Sequence, residues 1–390
     1  MISVEEAKKR INENISPLKP ALKLLEEVSE HILAAPVFGA YDIPAFRQSS
    51  MDGYAISFGD KDGELELAGE MAAGAAEQLT LKSGQAIRIF TGAPLPEGAD
   101  TVVMQEKITK NGNKIGFGDD KLVLGANVRP IGAEIRTGEM AMQKGDLLTP
   151  AALAFLAGIG TNKVEVYPMP KVAIILTGNE LQQPGLPLEF GQVYESNSYS
   201  LSAALKKEGI SDIEVLKAAD TLDKLTEVLK SALENNDVVL LTGGVSVGDY
   251  DFVLQAAADC GVTQIFHKVK QKPGKPLFFG KQNDKVIFGL PGNPSSVLNC
   301  YYNYVVPAIK KLSGKANSIK EIPAKLSHDY QKPKGLTHFL KGNYSEGKAT
   351  PLGAQESYRL SSFAQASCLI QLNEAQENFH AGEIVNIILI

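Results

Sequence analysis

The sequence predicts a multidomain α/β plus β protein: a central, doubly wound, mostly parallel α/β domain, a discontinuous helical domain carrying a β-rich insertion, and a second small β domain at the C-terminal end. Three observations predict it. At 390 residues the chain exceeds what one hydrophobic core usually organises. Over 171–314 apolar strand-like runs alternate with helical patterns, as parallel strands with helices on both faces require. On either side, 39–137 and 315–390 carry short β-like runs broken by glycine, proline and acidic turns.

Taken in order, Ser3 and Glu6 have the spacing of a capping box, and Val4, Ala7 and Ile11 fall on one face behind it, so the chain opens with a helix. The runs 86–90 and 101–105 are strands of the insertion. Thr149 caps a helix with Pro150 at its first position and good helix formers over 151–157. That helix is expected to pack on the N-terminal one, giving a helical domain of 1–38 and 138–168 around the insertion 39–137. In the α/β domain, 169–314, the strands are 172–176, 213–216, 238–241, 262–266, 277–279 and 286–290. Its helices are 198–208, 222–235 and 252–260, with Gly209 and Gly261 as C-terminal stops. The final β domain, 315–390, ends in the run 384–390.

Composition narrows function. A formal net charge of -6, with 44% hydrophobic and 22% charged residues, argues against a binder of nucleic acid or anionic membranes. No stretch approaches the roughly 18 consecutive apolar residues of a membrane span. Met1 leads straight into the charged helical pattern at 3–14, so no signal peptide is expected and a cytoplasmic location is. Cys260, Cys300 and Cys368 form no CxxC pair, and His31, His267, His328, His338 and His380 show no HxxxH spacing. A metal here is expected to be a hard ion held by oxygen.

In open α/β sheets ligands bind beyond the carboxyl ends of the strands. Four unusual loops sit at such ends: Thr177-Gly178-Asn179-Glu180, Thr242-Gly243-Gly244-Val245-Ser246, Lys272-Pro273-Gly274-Lys275-Pro276 and Pro291-Gly292-Asn293-Pro294. Bare glycine backbone lets N–H groups approach a phosphate, which Thr242-Gly243-Gly244 is suited to do. It is neither a Walker A loop nor a GxGxxG fingerprint. The stretch 260–283 before Asp284 carries, apart from the caps at its ends, Lys268, Lys270, Lys272, Lys275 and Lys281 with no acidic residue. Lys270 and Lys281 read as solvated strand-edge charges, whereas Lys272 and Lys275 bracket Pro-Gly and so direct two ammonium groups at one loop edge, an anion site. Glu180, Asp249 and Asp251 follow strand loops; Asp249 equally fits a helix cap. Carboxylates facing a lysine-rich phosphate site are the arrangement that holds Mg²⁺. A phosphoanhydride ligand with bound magnesium is expected.

In order and in combination, TGNEL at 177–181, GGVSVGDYD at 243–251, KPGKP at 272–276 and LPGNPSS at 290–296 resemble the molybdopterin molybdenumtransferase family, which includes the E domain of gephyrin. SSMDGYA at 49–55, FTGAPLPEGADTVVMQE at 90–106 and NVRPIGAEI at 127–135 extend the resemblance over nearly the whole chain. It implies an adenylyltransferase-like central domain, a C-terminal β-barrel and an elongated homodimer. It further implies a site shared between subunits, in which Asp52, Thr91 and Glu134 face the partner's Glu180 and the partner's Asp251. Read alone, Asp52 and Thr91 are turn residues. Asp220 matches a family position near the nucleotide, and a helix N-cap is its competing role. Thr242, Gly243, Gly244, Ser246, Lys268, Pro291 and Pro294 are assigned to binding of the pterin nucleotide; molybdate is assigned to Lys272, Lys275, Ser296 and barrel residues.

Where many relatives carry Gly-Arg-x-Glu-Phe-x-Arg in the last domain, this chain has Gly335-Leu336-Thr337-His338-Phe339-Leu340-Lys341. Lys341 keeps one positive charge without a bidentate fork and is expected, with Ser357 and the pair Ser361 and Ser362, to complete the molybdate pocket. The resemblance implies insertion of molybdenum from molybdate into adenylylated molybdopterin, with Glu180, Asp251 and Asp249 holding Mg²⁺ and AMP as leaving product. Molybdopterin adenylyltransferase and recipient molybdoenzymes are the expected partners. The rival readings are the adenylyltransferase step itself and a non-enzymatic dimeric scaffold.

Overall fold

The computed structural model describes residues 1–245, 252–315 and 321–390. They form two compact units, one of Met1–Ala21, Glu30–Ala34 and Glu165–Ile390, the other of Leu22–Ser29 and Ala35–Val164.

Helix α1 (Val4–Asn14) starts where Ser3 Oγ accepts the Glu6 N–H at 3.1 Å. The reciprocal half of the box is absent because the Glu6 carboxylate pairs with Arg10, at 2.7 Å. Helix α2 (Pro150–Gly158) has Thr149 as its cap, accepting from Ala152 N at 3.2 Å, and proline at its first position. The expected packing of these two helices into one helical domain is corrected. Val4, Ala7, Ile11 and Ile15 are buried in the core of the α/β domain, and α2 belongs to the other unit, packed on the short turn Leu25–Glu27. Periodicity identified the buried face of α1 without naming its partner.

The α/β domain follows as β1 (Val172–Thr177), α3 (Asn197–Lys207), β2 (Ile213–Ala218), α4 (Leu222–Asn235), β3 (Val238–Thr242), α5 (Val253–Asp259), β4 (Thr263–His267), β5 (Phe278–Gln282), β6 (Lys285–Leu290) and α6 (Pro294–Cys300). A π-helical turn, Tyr301–Val305, joins α6 to α7 (Val306–Leu312). The strand order is β2-β1-β3-β6-β5-β4. The pairs β1/β2, β1/β3 and β3/β6 are parallel; β6/β5 and β5/β4 are antiparallel. The sheet is therefore mostly parallel, with one reversed strand, β5, between β6 and the edge strand β4.

Alternation along each strand divides two cores. Val172, Ile174 and Leu176 pack with α1, α3, α6 and α7, while Ala173 and Ile175 pack with α4 and α5 through Leu225, Leu229 and Ala256. Every residue of β1 is buried, so nothing along this strand faces water and its ligand-facing groups are confined to its carboxyl end.

The last domain contains β7 (Glu321–Leu326), β8 (Thr337–Ser345), β9 (Lys348–Pro351), β10 (Cys368–Leu372) and β11 (Ile384–Leu389). Pairing runs β8-β9-β7-β11-β10 and back to β8, closing a five-stranded barrel around Leu326, Leu340, Ile370, Val385 and Ile387. The two-residue strand Gln271–Lys272 adds to its wall, pairing in parallel with Thr337 and His338.

In the other unit a six-stranded sheet orders Thr101–Met104, Gly53–Ile56, Gln85–Ile89, Leu65–Met71, Lys114–Phe117 and Ile108–Asn111. Among the described residues no helix is long and apolar enough to cross a membrane.

Candidate active site

The carboxyl ends of β1, β3 and β6 are fastened to one another. Thr177 Oγ1 donates to the Thr242 carbonyl at 3.1 Å, and the Gly243 N–H donates to the Leu290 carbonyl at 3.2 Å. The Gly243 amide is thus used in joining strand ends, which corrects its expected role as a phosphate donor. Asn197 Nδ2 donates to the Gly292 carbonyl at 3.0 Å, tying α3 to the loop after β6. Asp220 Oδ2 accepts the Asn179 N–H at 3.0 Å. The N-cap position of α4 is Thr221, with no side-chain cap bond, so Asp220 shapes the Thr177–Glu180 loop rather than capping the helix. Glu180 is exposed beside it, and its carboxylate has no hydrogen-bond partner among the described residues.

The lysine loop is held from beneath by a buried polar network. Gln271 is fully buried; its Nε2 donates to the Gly274 carbonyl at 2.7 Å, and its Oε1 accepts from Tyr304 Oη. Asn299 Nδ2 donates to the Pro273 carbonyl at 3.1 Å. Gly274 has φ +89°, and a β-carbon there would meet Cys300 Sγ at 2.6 Å, so only glycine fits. Lys272 and Lys275 are exposed at the top of this scaffold.

Facing them is the barrel. The lysine loop, the 291–293 loop with the first turn of α6, and barrel residues enclose a cleft of about 770 Å³. Of the predicted residues Lys272, Lys275, Pro291, Ser296 and Ser357 line it. Ser357 Oγ accepts from Asn293 Nδ2 at 3.0 Å, and the Ser357 carbonyl accepts the Ser295 N–H at 3.1 Å, which joins barrel and loop. Pro294 opens α6. Lys268 does not line the cleft; it sits in a left-handed turn at φ +69°, its carbonyl accepting the Ile2 N–H.

Lys341 is a second correction. It is buried, and its Nζ donates to the carbonyls of Ala354 at 2.7 Å, Arg359 at 3.1 Å and Glu356 at 3.3 Å. An ammonium has three N–H donors, and all three are occupied by the 354–359 loop, so none is left for an oxyanion. Ser362 Oγ is likewise used, donating to the Ala354 carbonyl at 2.7 Å. Two residues that sequence reasoning missed line the cleft instead, Lys332 and His338, both buried. Burial lowers the Lys332 ammonium from its ordinary range. Burial, then the Lys332 and Lys272 ammonium groups, push His338 down to about 4. The stretch 330–334 carried Lys-Pro-Lys in a polar run, and only the long-range fold buries one of those lysines.

In the other unit Asp52 and Thr91 meet. Asp52 Oδ1 accepts from both Thr91 N and Thr91 Oγ1 at 2.8 Å, and these bonds hold its carboxyl below the usual range. Gly53 beside it lies so close to the neighbouring strand that a β-carbon would stand 2.0 Å from the Val103 carbonyl oxygen. Gly53→Ala is expected to destabilise the protein by about 3 kcal/mol, as overpacking against immovable backbone does. Urea unfolding followed by far-UV circular dichroism checks this, and wild-type stability would refute the close approach. Glu134 is exposed on a segment bonded to Ile43 and Pro44, without a hydrogen bond to Asp52 or Thr91 among the described residues.

Ser246, Asp249 and Asp251 lie outside the described residues. Among the described residues no cluster of three or more His, Cys, Asp or Glu is placed to hold a metal. Of the expected magnesium set Glu180 alone is described, and an exposed carboxylate without a side-chain partner suits an ion that takes one or two protein carboxylates with substrate phosphates and water. Burial pushes the Cys300 thiol up to about 12 and Cys368 to about 11, so neither offers a thiolate nucleophile, and it raises Cys260 as well.

Three family models match in order: the MoeA N-terminal region (domain I and II) over residues 2–160, a probable molybdopterin binding domain over 173–311, and the MoeA C-terminal region (domain IV) over 323–390. A relative from Staphylococcus epidermidis named molybdopterin molybdenumtransferase is 36% identical over 400 residues, covering 100% of this chain and 95% of the relative. One of the same name from Haemophilus influenzae is 33% identical over 397 residues, covering 99% and 98%. A solved structure of a molybdopterin biosynthesis moeA protein from Pyrococcus horikoshii superposes with a TM-score of 0.84 at 28% identity, over 100% of this chain and 99% of that one. A second, from strain OT3, gives 0.77 at 29% identity, over 100% of both chains.

Proposed function

The chain belongs to the molybdopterin molybdenumtransferase family, and from that premise we propose that it inserts molybdenum from molybdate into adenylylated molybdopterin, with Mg²⁺-dependent release of AMP. The observation that carries this reading is the cleft of about 770 Å³ between the lysine loop and the barrel, where Lys272, Lys275 and Lys332 supply three cationic groups beside Ser296 and Ser357. Cations and hydroxyl donors around one cavity suit a tetrahedral oxyanion. The nucleotide end of the substrate is assigned to the adjoining strand ends, with Asp220 and Asn179 shaping the loop that presents Glu180.

The protein's own part is to bind and orient. Lys272 and Lys275 hold molybdate, the polar network under Gly274 fixes their loop, and the cleft walls limit water around the reacting dithiolene. Glu180, with Asp251 and Asp249, would hold Mg²⁺, which would supply positive charge beside the phosphoanhydride. The sulfurs that take the molybdenum belong to the substrate, in keeping with cysteines that burial keeps protonated. We propose a homodimer in which Asp52, Thr91 and Glu134 of one subunit serve the site of the other, in the cytoplasm, receiving substrate from a molybdopterin adenylyltransferase and passing product to molybdoenzymes.

The test is incubation of pure protein with adenylylated molybdopterin, molybdate and Mg²⁺, reading AMP release and metallated cofactor. Release of pyrophosphate from molybdopterin and Mg-ATP instead would make the chain a nucleotidyltransferase. Glu180→Gln is expected to fold normally and lose about a hundredfold or more of AMP release, since metal charge stabilisation is worth several kcal/mol and about 1.4 kcal/mol is a decade. Wild-type turnover would remove Glu180 from the mechanism.

A further inference from the structure

We propose that Lys332 and His338 form an oxyanion subsite on the barrel wall of the cleft, and that His338 takes up a proton when a dianion enters it. The inference rests on the reading of this cleft as the molybdate side of the site, and it assigns the barrel's contribution to residues other than Lys341.

The donors left over point there. Lys332 is only 2% exposed, and its Nζ donates to the carbonyls of Leu336 at 3.0 Å and Pro333 at 3.3 Å. Two of its three N–H groups are used, so one remains, whereas Lys341 has none. Lys332 has no ion pair among the described residues; the Phe379 ring stands 5.8 Å from its ammonium. Burial lowers the Lys332 ammonium and the Glu374 and Glu377 carboxylates, outside ion-pair distance, only partly offset it, so a dianion in the cleft would supply the direct partner its remaining N–H lacks. His338 is 7% exposed and lines the same cleft, with neither ring nitrogen hydrogen-bonded among the described residues. Parallel pairing sets His338 opposite Lys272, so the barrel pair and the lysine loop face one space.

The charged and titratable groups around His338 are Lys272 and Lys275 from the loop, Tyr330 and Lys332 from the segment before β8, and Glu356 from the loop after β9. Glu356 is ion-paired with Arg359 at 3.3 Å, and burial raises Tyr330, so it gains no proton below neutral pH. With His338 held near 4 by burial and two ammonium groups, the imidazole is neutral at pH 7 in the free protein. A dianion opposes the field of the lysines and raises the histidine's proton affinity. By linkage the bound form carries more protons than the free form in weakly acid solution, so dianion affinity rises as pH falls from 7 toward 5.5. Lysine ammonium groups are already protonated there, so the uptake is assigned to the imidazole.

The whole protein is titrated calorimetrically with sodium sulfate at pH 7, 6 and 5.5, and with sodium molybdate at pH 7, in buffers of differing ionisation enthalpy. Sulfate takes no proton in this range, whereas molybdate condenses with proton uptake in weakly acid solution, so the pH series is read with sulfate. Wild-type protein is expected to take up a fraction of a proton on binding sulfate that grows as pH falls. His338→Gln is expected to abolish the uptake and weaken binding about threefold to tenfold, and Lys332→Gln to weaken it about tenfold or more. Unchanged proton stoichiometry and affinity in His338→Gln overturn the proposal, and so does failure of the wild type to bind either dianion at tens of millimolar. Should Lys332→Gln fail to fold, His338→Gln alone decides. Metallation and AMP release are read in a separate assay, so an enzyme that turns over while His338→Gln binds like wild type refutes this subsite and leaves the proposed function standing.

Discussion

Lys275→Ala is expected to weaken molybdate binding by about ten- to a hundredfold, while Lys281→Ala leaves it unchanged. A hydrogen bond to a charged group contributes about 1.5 to 3 kcal/mol, and about 1.4 kcal/mol is a decade in affinity. The lower part of that range weighs most because Lys275 is exposed before ligand enters. Lys281 lies in the same run of lysines, on β5 with Thr263 and Val286 as cross-strand neighbours, and does not line the cleft. The pair therefore separates a built anion site from surface charge. Titration calorimetry with molybdate decides it: equal, small effects would mean that the lysine loop is a decorated edge.

The polar network under the loop makes the contrast sharper. Gln271, Tyr304 and Asn299 fix the loop's backbone without touching its ammonium groups, so Lys275→Ala removes a charge from a surface that keeps its shape. Secondary effects on folding are expected to be small for an exposed side chain.

The α/β domain was legible because its signals are local. Apolar runs such as 172–176 and 238–241 are bounded by glycine turns, and their alternate residues serve two cores that sequence spacing alone distinguishes. The caps of α1 and α2 were legible for the same reason. The home of α1 was not. Its apolar face fits any complementary surface, and contacts with residues near 304–312, some 300 positions away, decide which. The barrel was readable only as short strands, since closure depends on β8 pairing with both β9 and β10. Motif positions located the lysine loop and, in the other unit, the Asp52–Thr91 pair. Lys332 gave no signal, because a lysine in a polar stretch is ordinarily solvated and its burial follows from how 330–336 folds over Phe379.

Lys341 shows the opposite failure, a residue whose type and motif position suggested a ligand contact while the fold uses it as a structural cation. Lys341→Met is expected to cost about 3 kcal/mol of stability, from three carbonyls that each lose a buried donor. The three carbonyls of Ala354, Glu356 and Arg359 converge on one Nζ, and methionine fills the volume without offering a donor, leaving each carbonyl to find water or remain unpaired at about 1 to 3 kcal/mol apiece. The backbone ties Lys341 N–H to Gln355 Oε1 at 3.0 Å and Gln355 Nε2 to the Lys341 carbonyl at 2.9 Å survive the change, so the 354–359 loop should loosen rather than detach. Urea unfolding measures the loss, and amide exchange is expected to accelerate over 354–362 before the barrel strands. A direct molybdate contact predicts the reverse pattern, native stability with a large drop in molybdate affinity, and that outcome would return Lys341 to the ligand site and displace Lys332 from it.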